Sequence, residues 1–328
     1  MSFRPKNSLA SSLLLLFLLA GLFGCKPGAV EGPSSIQVGF TANLYDVQPH
    51  LAVGMQPDDK AIFHLASLLQ PRDDIKGNIL QSVRDAGYEY LELNTAEIAL
   101  LTDAEFETAY EMIRQVGLEV PVTNVFVPGH IKLVGPEVDA AVQDAYLRVA
   151  YQRLHRLGVT YLVFGSAGAR RIPDGFPREE AWEQLAAFSR RAAEKAGEYD
   201  IMILIEPLRR QETNFINTTA EGFELVRAVG HPNFQLMIDF YHLAVENEDP
   251  DIVLEVADYL HHIHVANPNG RVFPLDWDEH PYYEAFFRNL REIGYDKRVS
   301  VEARFDDFHA ESRRSIQMMR EAFDPDRW

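Results

Sequence analysis

The feature that most narrows the fold is a rhythm. From residue 36 onward, short β-branched and apolar runs alternate with longer stretches of helical periodicity, and neither a sequence repeat nor a low-complexity tract interrupts them. Such alternation specifies βα units, parallel strands joined by crossover helices. The runs predict strands at 36–41, 88–94, 121–127, 161–165, 201–206, 234–239, 261–265 and 299–302. Helical patterns fall at 75–86, 103–116, 137–157, 178–198, 219–229, 251–258, 281–294 and 309–323. Gly87, Gly117, Gly158, Gly230 and Gly294 stand near the ends of five of these, where glycine commonly closes a helix. Eight units in about 290 residues suit a closed (β/α)8 TIM barrel, typically ~250 residues plus insertions, the longest here being 42–74 after the first strand. An open doubly wound sheet is the competing architecture, but no G-x-G-x-x-G and no phosphate loop follows the first strand.

The acidic and imidazole residues of the last four strands are placed informatively. Ile203-Leu204-Ile205 ends on Glu206, Leu236-Met237-Ile238 on Asp239, His262-Ile263 on His264, and Val299-Ser300-Val301 on Glu302. The intervals of 33, 25 and 38 residues each span one βα unit. The C-terminal ends of successive barrel strands ring one mouth, so these four side chains can converge on a point. A single carboxylate at a strand end is commonly a helix N-cap or half of a surface ion pair. Four ligand-type residues at four consecutive strand ends fit that reading poorly. Three carboxylates and an imidazole favour Mn²⁺, Mg²⁺, Co²⁺ or Fe²⁺ over a structural zinc, which usually recruits cysteine, and they predict a metal without choosing among the four.

The sequence resembles the xylose isomerase-like barrels grouped as sugar isomerases and epimerases, across nearly all of 36–323. Ile205-Glu206-Pro207-Leu208-Arg209-Arg210-Gln211-Glu212-Thr213-Asn214 is similar to the fifth-strand signature of ketose 3-epimerases that act on tagatose and psicose. Met237-Ile238-Asp239-Phe240-Tyr241-His242 resembles their D-x-x-H segment, and Ile263-His264 with Arg271 their H…R segment. The resemblance implies that Glu206, Asp239, His264 and Glu302 are metal ligands, and that His242, Glu212 and Arg271 contact the sugar. Three departures leave substrate identity open: Arg271 lies seven residues after His264, one more than usual, Gln211 replaces an aromatic, and Asn267-Pro268-Asn269-Gly270 differs from the family loop.

The chemistry also stands on the residues. Removing a proton beside a carbonyl leaves an enediolate, whose charge a divalent cation offsets. Glu206 and Glu302, on strands five and eight, are the candidates for general acid and base. Protonation from the opposite face inverts the carbon, and transfer to its neighbour isomerises aldose to ketose. A metal-dependent sugar isomerase or epimerase is therefore the first reading. A lyase or hydrolase of 3-keto-glycosides on the same site, and a non-catalytic carbohydrate-binding lipoprotein, are the alternatives. The segment Phe164-Gly165-Ser166-Ala167-Gly168-Ala169-Arg170-Arg171 reads as an anion-binding loop or as a place where backbone approaches substrate closely. Glu92, Asn94 and Asn124 are pocket polar candidates. His261 and His262 read as packing residues, as do Tyr282, Tyr283, Phe286 and Phe287 at helical spacing.

The N-terminus reads as an address. Arg4 and Lys6 precede Leu13-Leu14-Leu15-Leu16-Phe17-Leu18-Leu19, and the apolar run ends by Gly24, shorter than the roughly 20 residues of a spanning helix. Leu22-Phe23-Gly24-Cys25 resembles the bacterial lipobox, which makes Cys25 the acylated first residue of the mature chain. Residues 1–24 are then a signal peptide, 25–35 a Pro/Gly/Ser-rich tether and 36–328 the barrel. An exported lipoprotein, periplasmic or on the cell surface, is expected, held to the membrane through Cys25 alone. One cysteine excludes intramolecular disulfides and thiolate metal clusters. Against 31 Lys and Arg, 49 Asp and Glu give a net charge of −18, which repels nucleic acid. The expected partner is a small carbohydrate; a homo-oligomer is left open.

Overall fold

A computed structural model describes residues 37–41, 79–324 and 326–327 of this protein. The expected signal peptide, Cys25, the tether and the 42–74 connection lie outside them. Eight parallel strands close in sequence order. They are β1 Val38–Thr41, β2 Tyr90–Asn94, β3 Glu119–Asn124, β4 Tyr161–Phe164, β5 Met202–Ile205, β6 Phe234–Asp239, β7 Leu260–Val265 and β8 Arg298–Val301. Pairing of Val38 with Val299 and Phe40 with Val301 shuts the barrel between β1 and β8. The expected (β/α)8 architecture is present.

The local signals act as their chemistry requires. Thr102 caps Asp103–Val116 through a capping box with Glu105, and Asp139 caps Ala140–Leu157. Gly117 and Gly158 end those helices at φ 73° and 83°, where a side chain would be strained. The stretch expected as one helix over 251–258 divides into Ile252–Glu255 and a 3₁₀ turn, Ala257–Tyr259. Three helices were not anticipated: Thr95–Leu100, Ala167–Arg170 and Phe240–Val245. At four to six residues they are too short to show a period, and they sit at the ends of β2, β4 and β6. Among the described residues no helix is long and apolar enough to cross a membrane.

Strand alternation divides the core in two. Leu91, Leu93, Leu162, Ile203, Ile238, Ile263 and Val299 face the helices and join the large outer core. Tyr90, Val122, Val163, Leu204 and Met237 fill the barrel interior. The Tyr90 ring takes so much of that space that a Cβ on Gly39 would lie 2.1 Å from it. Stepping two residues toward the C-terminal mouth from Val122, Val163, Leu204, Met237, His262 and Ser300 reaches Asn124, Gly165, Glu206, Asp239, His264 and Glu302. Alternation thus lays a polar ring directly above the interior packing layer.

Candidate metal centre and sugar pocket

Glu206, Asp239, His264 and Glu302 meet at the mouth. Each presents one ligand atom, and these atoms all lie within 4.8 Å of one another. His264 Nδ1 is 2.9 Å from Glu302 Oε2 and 3.6 Å from Glu206 Oε1. All four residues are buried. Glu206 Oε1 and His264 Nδ1 lack a hydrogen bond, and buried polar atoms left this way are expensive unless something else occupies them. A hard divalent cation fits that demand, because it takes oxygen and imidazole donors in one cluster.

Each ligand-type side chain is held by a different device. The carboxylate of Glu206 lies against Gly165, where a Cβ would come within 2.3 Å of Oε2, so only glycine leaves it room. Its carbonyl accepts from the buried Arg170 Nη2 at 2.7 Å. Arg170 Nη1 also donates to the Phe164 carbonyl at 2.9 Å, and Arg171 donates to the carbonyl of Glu212. The two arginines expected in an anion loop instead brace backbone; burial lowers Arg170 only to about 10, so it keeps its charge at neutral pH. Asp239 serves partly as the N-cap that a lone strand-end carboxylate usually is: Oδ1 accepts from Tyr241 N at 2.8 Å, while Oδ2 faces the cluster. Arg271 spans two acids, with Nη2 donating to Glu302 Oε2 at 2.8 Å and Asp239 Oδ2 at 3.2 Å. Its Nη1 reaches Glu212 Oε1 at 3.4 Å.

Glu212 in turn accepts from Arg209 Nε at 2.8 Å. The loop carrying both is stitched by Asn217, whose side-chain amide donates to the carbonyls of Leu208 and Thr213. His242 Nδ1 accepts the backbone N–H of Arg209 at 3.3 Å, so in the neutral ring the proton sits on Nε2, which points toward Asp239 and Glu206. Burial first, then the Arg271 and Arg209 charges, hold His242 well below its ordinary value and keep it neutral.

The acids are pushed apart. Burial raises Glu206, and it raises Asp239 to about 7. Burial acts upward on Glu302 as well, but Arg271 and His264 outweigh it and hold that carboxyl below its usual range. His264 is raised despite burial, because Glu92 and Glu302 flank it.

Above the cluster lies a cavity of about 280 Å³. Glu206, Glu212, His242, Arg271 and Glu302 line one side; small residues from Gly165 to Gly168, with Gly129, line another. Asn124 lines it too, and so does Asn94, which also caps Thr95–Leu100. Among the described lining residues Arg271 is the only Lys or Arg, and carboxylates already engage it. Asp239 and His264 sit lower, beneath the wall.

The seven residues singled out at the mouth are thus brought together in one place; Cys25 lies outside the described residues. Glu92 and His262 had weaker signals. His262 is not a packing residue against helices: it points into the barrel and shares Glu92 with His264. Tyr283, Phe286 and Phe287 pack in the outer core, as the spacing of that aromatic cluster implied.

Comparison with known proteins places this geometry. A family model described as xylose isomerase-like TIM barrel matches residues 80–322. An L-ribulose 3-epimerase of Methylomonas sp. (strain DH-1) is 28% identical over 226 residues, which cover 66% of this chain and 74% of that one. The crystal structure of a D-allulose 3-epimerase from Methylomonas sp. in complex with D-allulose superposes with a TM-score of 0.67 at 19% identity, covering 89% of this chain and 98% of that one. That of a 3-keto-D-glucoside 4-epimerase from E. coli gives 0.64 at 18%, with 87% and 99% covered. The two structural likenesses establish the shared fold.

Proposed function

This chain belongs to the xylose isomerase-like TIM barrel family, and on that premise we propose that it is a divalent-metal-dependent epimerase or isomerase of unphosphorylated sugars. Glu206, Asp239, His264 and Glu302 are the proposed ligands, with Mn²⁺ the first candidate and Mg²⁺, Co²⁺ and Fe²⁺ behind it. The observation that carries the reading is the convergence of four buried ligand-type groups beneath a sugar-sized cavity. Three glutamates and no uncommitted cation on the described wall favour a neutral ligand over a phosphorylated one.

Bound there, a divalent cation supplies charge that offsets the enediolate. The protein's own groups do the rest. Glu302, paired with the Arg271 guanidinium, takes the proton beside the carbonyl. Glu206, on the far side of the cluster from Glu302, returns one from the other side. The proton on His242 Nε2 is placed to reach a sugar oxygen. Glu212 accepts from a hydroxyl while Arg271 donates to another, which fixes the ring or chain between the two acids. On the same reading Cys25 carries the lipid that holds the enzyme on the periplasmic or cell-surface side.

The test uses the purified full-length chain in D₂O, with ketoses and with 3-keto-glycosides, before and after chelation. Metal-dependent deuterium uptake that disappears in Glu302→Gln supports the proposal, and the product separates epimer from aldose. Release of an aglycone from a 3-keto-glycoside reassigns the site to elimination. Absence of both metal and exchange refutes the enzyme and leaves a carbohydrate-binding protein.

A further inference from the structure

Beneath the mouth, inside the barrel, lies a second buried constellation that the proposed chemistry does not use. Glu92, His262, His264 and Ser300 are all 0% exposed, out of reach of bulk solvent. Glu92 is on β2 and its partners on β7 and β8, across the barrel axis. Its two oxygens divide their duties. Oε1 is 2.9 Å from His264 Nε2, whereas Oε2 takes Ser300 Oγ at 2.6 Å and His262 Nε2 at 3.1 Å. The Ser300 hydroxyl hydrogen is spent on Glu92, so the Tyr90 hydroxyl, 2.9 Å away, must be the donor to Ser300. A carboxylate taken wholly out of water costs several kcal/mol even in a relaxed protein, a cost hard to reconcile with packing alone.

We propose that Glu92 is a positioning residue: by accepting a hydrogen bond from His264 Nε2 through an oxygen dedicated to it, it keeps that nitrogen protonated and turns Nδ1 toward Glu206 and Glu302. Neutral imidazole has one bare nitrogen, so fixing the proton on Nε2 leaves Nδ1 as the donor to a cation. Carboxylate–histidine–metal arrangements work this way, and losing the outer carboxylate typically weakens metal binding 10–100-fold. The inference rests on the proposed metal centre for its consequence, but the proton on Nε2 is a property of the protein alone. Glu92, His262 and His264 also have atoms close enough to hold a second ion. Both oxygens of Glu92 already accept N–H or O–H hydrogens, however, and a cation there would have to displace them.

The experiment titrates Mn²⁺ into the full-length protein by calorimetry and, separately, records ¹⁵N-histidine spectra of the metal-free protein. One equivalent in the wild type is expected. Glu92→Gln, whose amide N–H₂ must face one imidazole, is expected to bind Mn²⁺ 10–100-fold more weakly. Tyr90→Phe removes a hydroxyl that reaches only Ser300 and is expected to stay within twofold. In the wild-type spectra His264 should show a slowly exchanging Nε2–H, whether or not Mn²⁺ binds and whether or not the Glu92 variant folds. Unchanged affinity in Glu92→Gln, or a bare Nε2 on His264, overturns the proposal. So does a second equivalent that vanishes in Glu92→Gln, since Glu92 would then be a ligand itself.

Discussion

Replacing Gly165 with alanine tests whether the Glu206 carboxylate needs its observed place. The added Cβ would sit 2.3 Å from Glu206 Oε2, and ordinary contact begins near 3.4 Å, so the carboxylate must retreat by about 1 Å. It cannot retreat freely. Its other oxygen is 3.6 Å from His264 Nδ1 and 3.9 Å from His242 Nε2, and Arg170 pins its carbonyl. A misplacement of ~1 Å in a reacting group costs on the order of 10²-fold in rate, or ~2.7 kcal/mol of barrier. The atom that moves is the end of a rotatable side chain, so the fold should lose only about 1 kcal/mol, the low end for overpacking. Gly39→Ala is the contrasting case. Its Cβ would press on three atoms of the Tyr90 ring at 2.1–2.5 Å inside the barrel, and a rigid buried ring cannot swing aside. That variant should lose ~3 kcal/mol and melt early. The assay pairs metal-dependent deuterium uptake with thermal unfolding. Uptake by Gly165→Ala within threefold of wild type, at an unchanged melting temperature, would refute the assignment of Glu206 to the reacting machinery.

Four further outcomes are expected. Asp239 at about 7, with Glu206 and His264 also raised, should hold protons in the metal-free protein that ligation must expel, so Mn²⁺ binding near pH 6 should release protons, read by calorimetry in buffers of different ionisation enthalpy. For these three groups, raised folded values mean a contribution to stability that is full below the unfolded values, ~4 for the carboxyls and ~6.5 for histidine, and lost as pH climbs through the folded ones; the gain in melting temperature on adding Mn²⁺ should therefore grow from about pH 5 to pH 8. Arg170→Met should cost about 3 kcal/mol, because the carbonyls of Phe164 and Glu206 lose a buried donor, and a melting temperature equal to wild type would show that they find another. Cys25→Ser should abolish incorporation of labelled palmitate and move the protein to the soluble fraction; continued labelling would displace the lipid from Cys25.

Much of the architecture was legible because βα alternation and strand-end carboxylates are local signals. Glu206, Asp239, His264 and Glu302 each interrupt an apolar run at the same structural height, and barrel closure converts equal height into proximity. Glu92 lies mid-strand, between Leu91 and Leu93, and its partner His264 lies 172 positions away and across the barrel, a pairing that no window of sequence displays. His262 read as a packing residue, and nothing local to it shows that it points into the barrel beside His264. The Phe164–Arg171 segment showed the right composition for two roles. Its arginines brace backbone, and at Gly165, which also lines the cavity, the Glu206 carboxylate lies where a Cβ would come. The short helices after β2, β4 and β6 escaped notice because one turn and a half has no period to detect.

The barrel interior is not evenly polar, and this bears on how a buried centre with three carboxylates is held. From β3 to β6 the layer beneath the mouth is apolar, with Val122, Val163, Leu204 and Met237, and it gives the ligand-type residues above it no hydrogen bonds. Among the described side chains, only on the β7, β8 and β2 side does the layer carry polar groups, and there Glu92 reaches up to His264. The remaining three are secured from above or beside: Glu302 and Asp239 by Arg271, from the loop after β7, and Glu206 by Arg170, from the short helix after β4. Glu212 then ties Arg271 to Arg209 in the loop after β5. Three restraints thus come from connections and one from the barrel itself. A change in the loops after β5 or β7 would move the proposed sugar contacts and Arg271 together, shifting specificity and the ionisation of Glu302 in one step. His264, fixed from below, would stay in place, which makes it the proposed ligand least sensitive to divergence of the pocket.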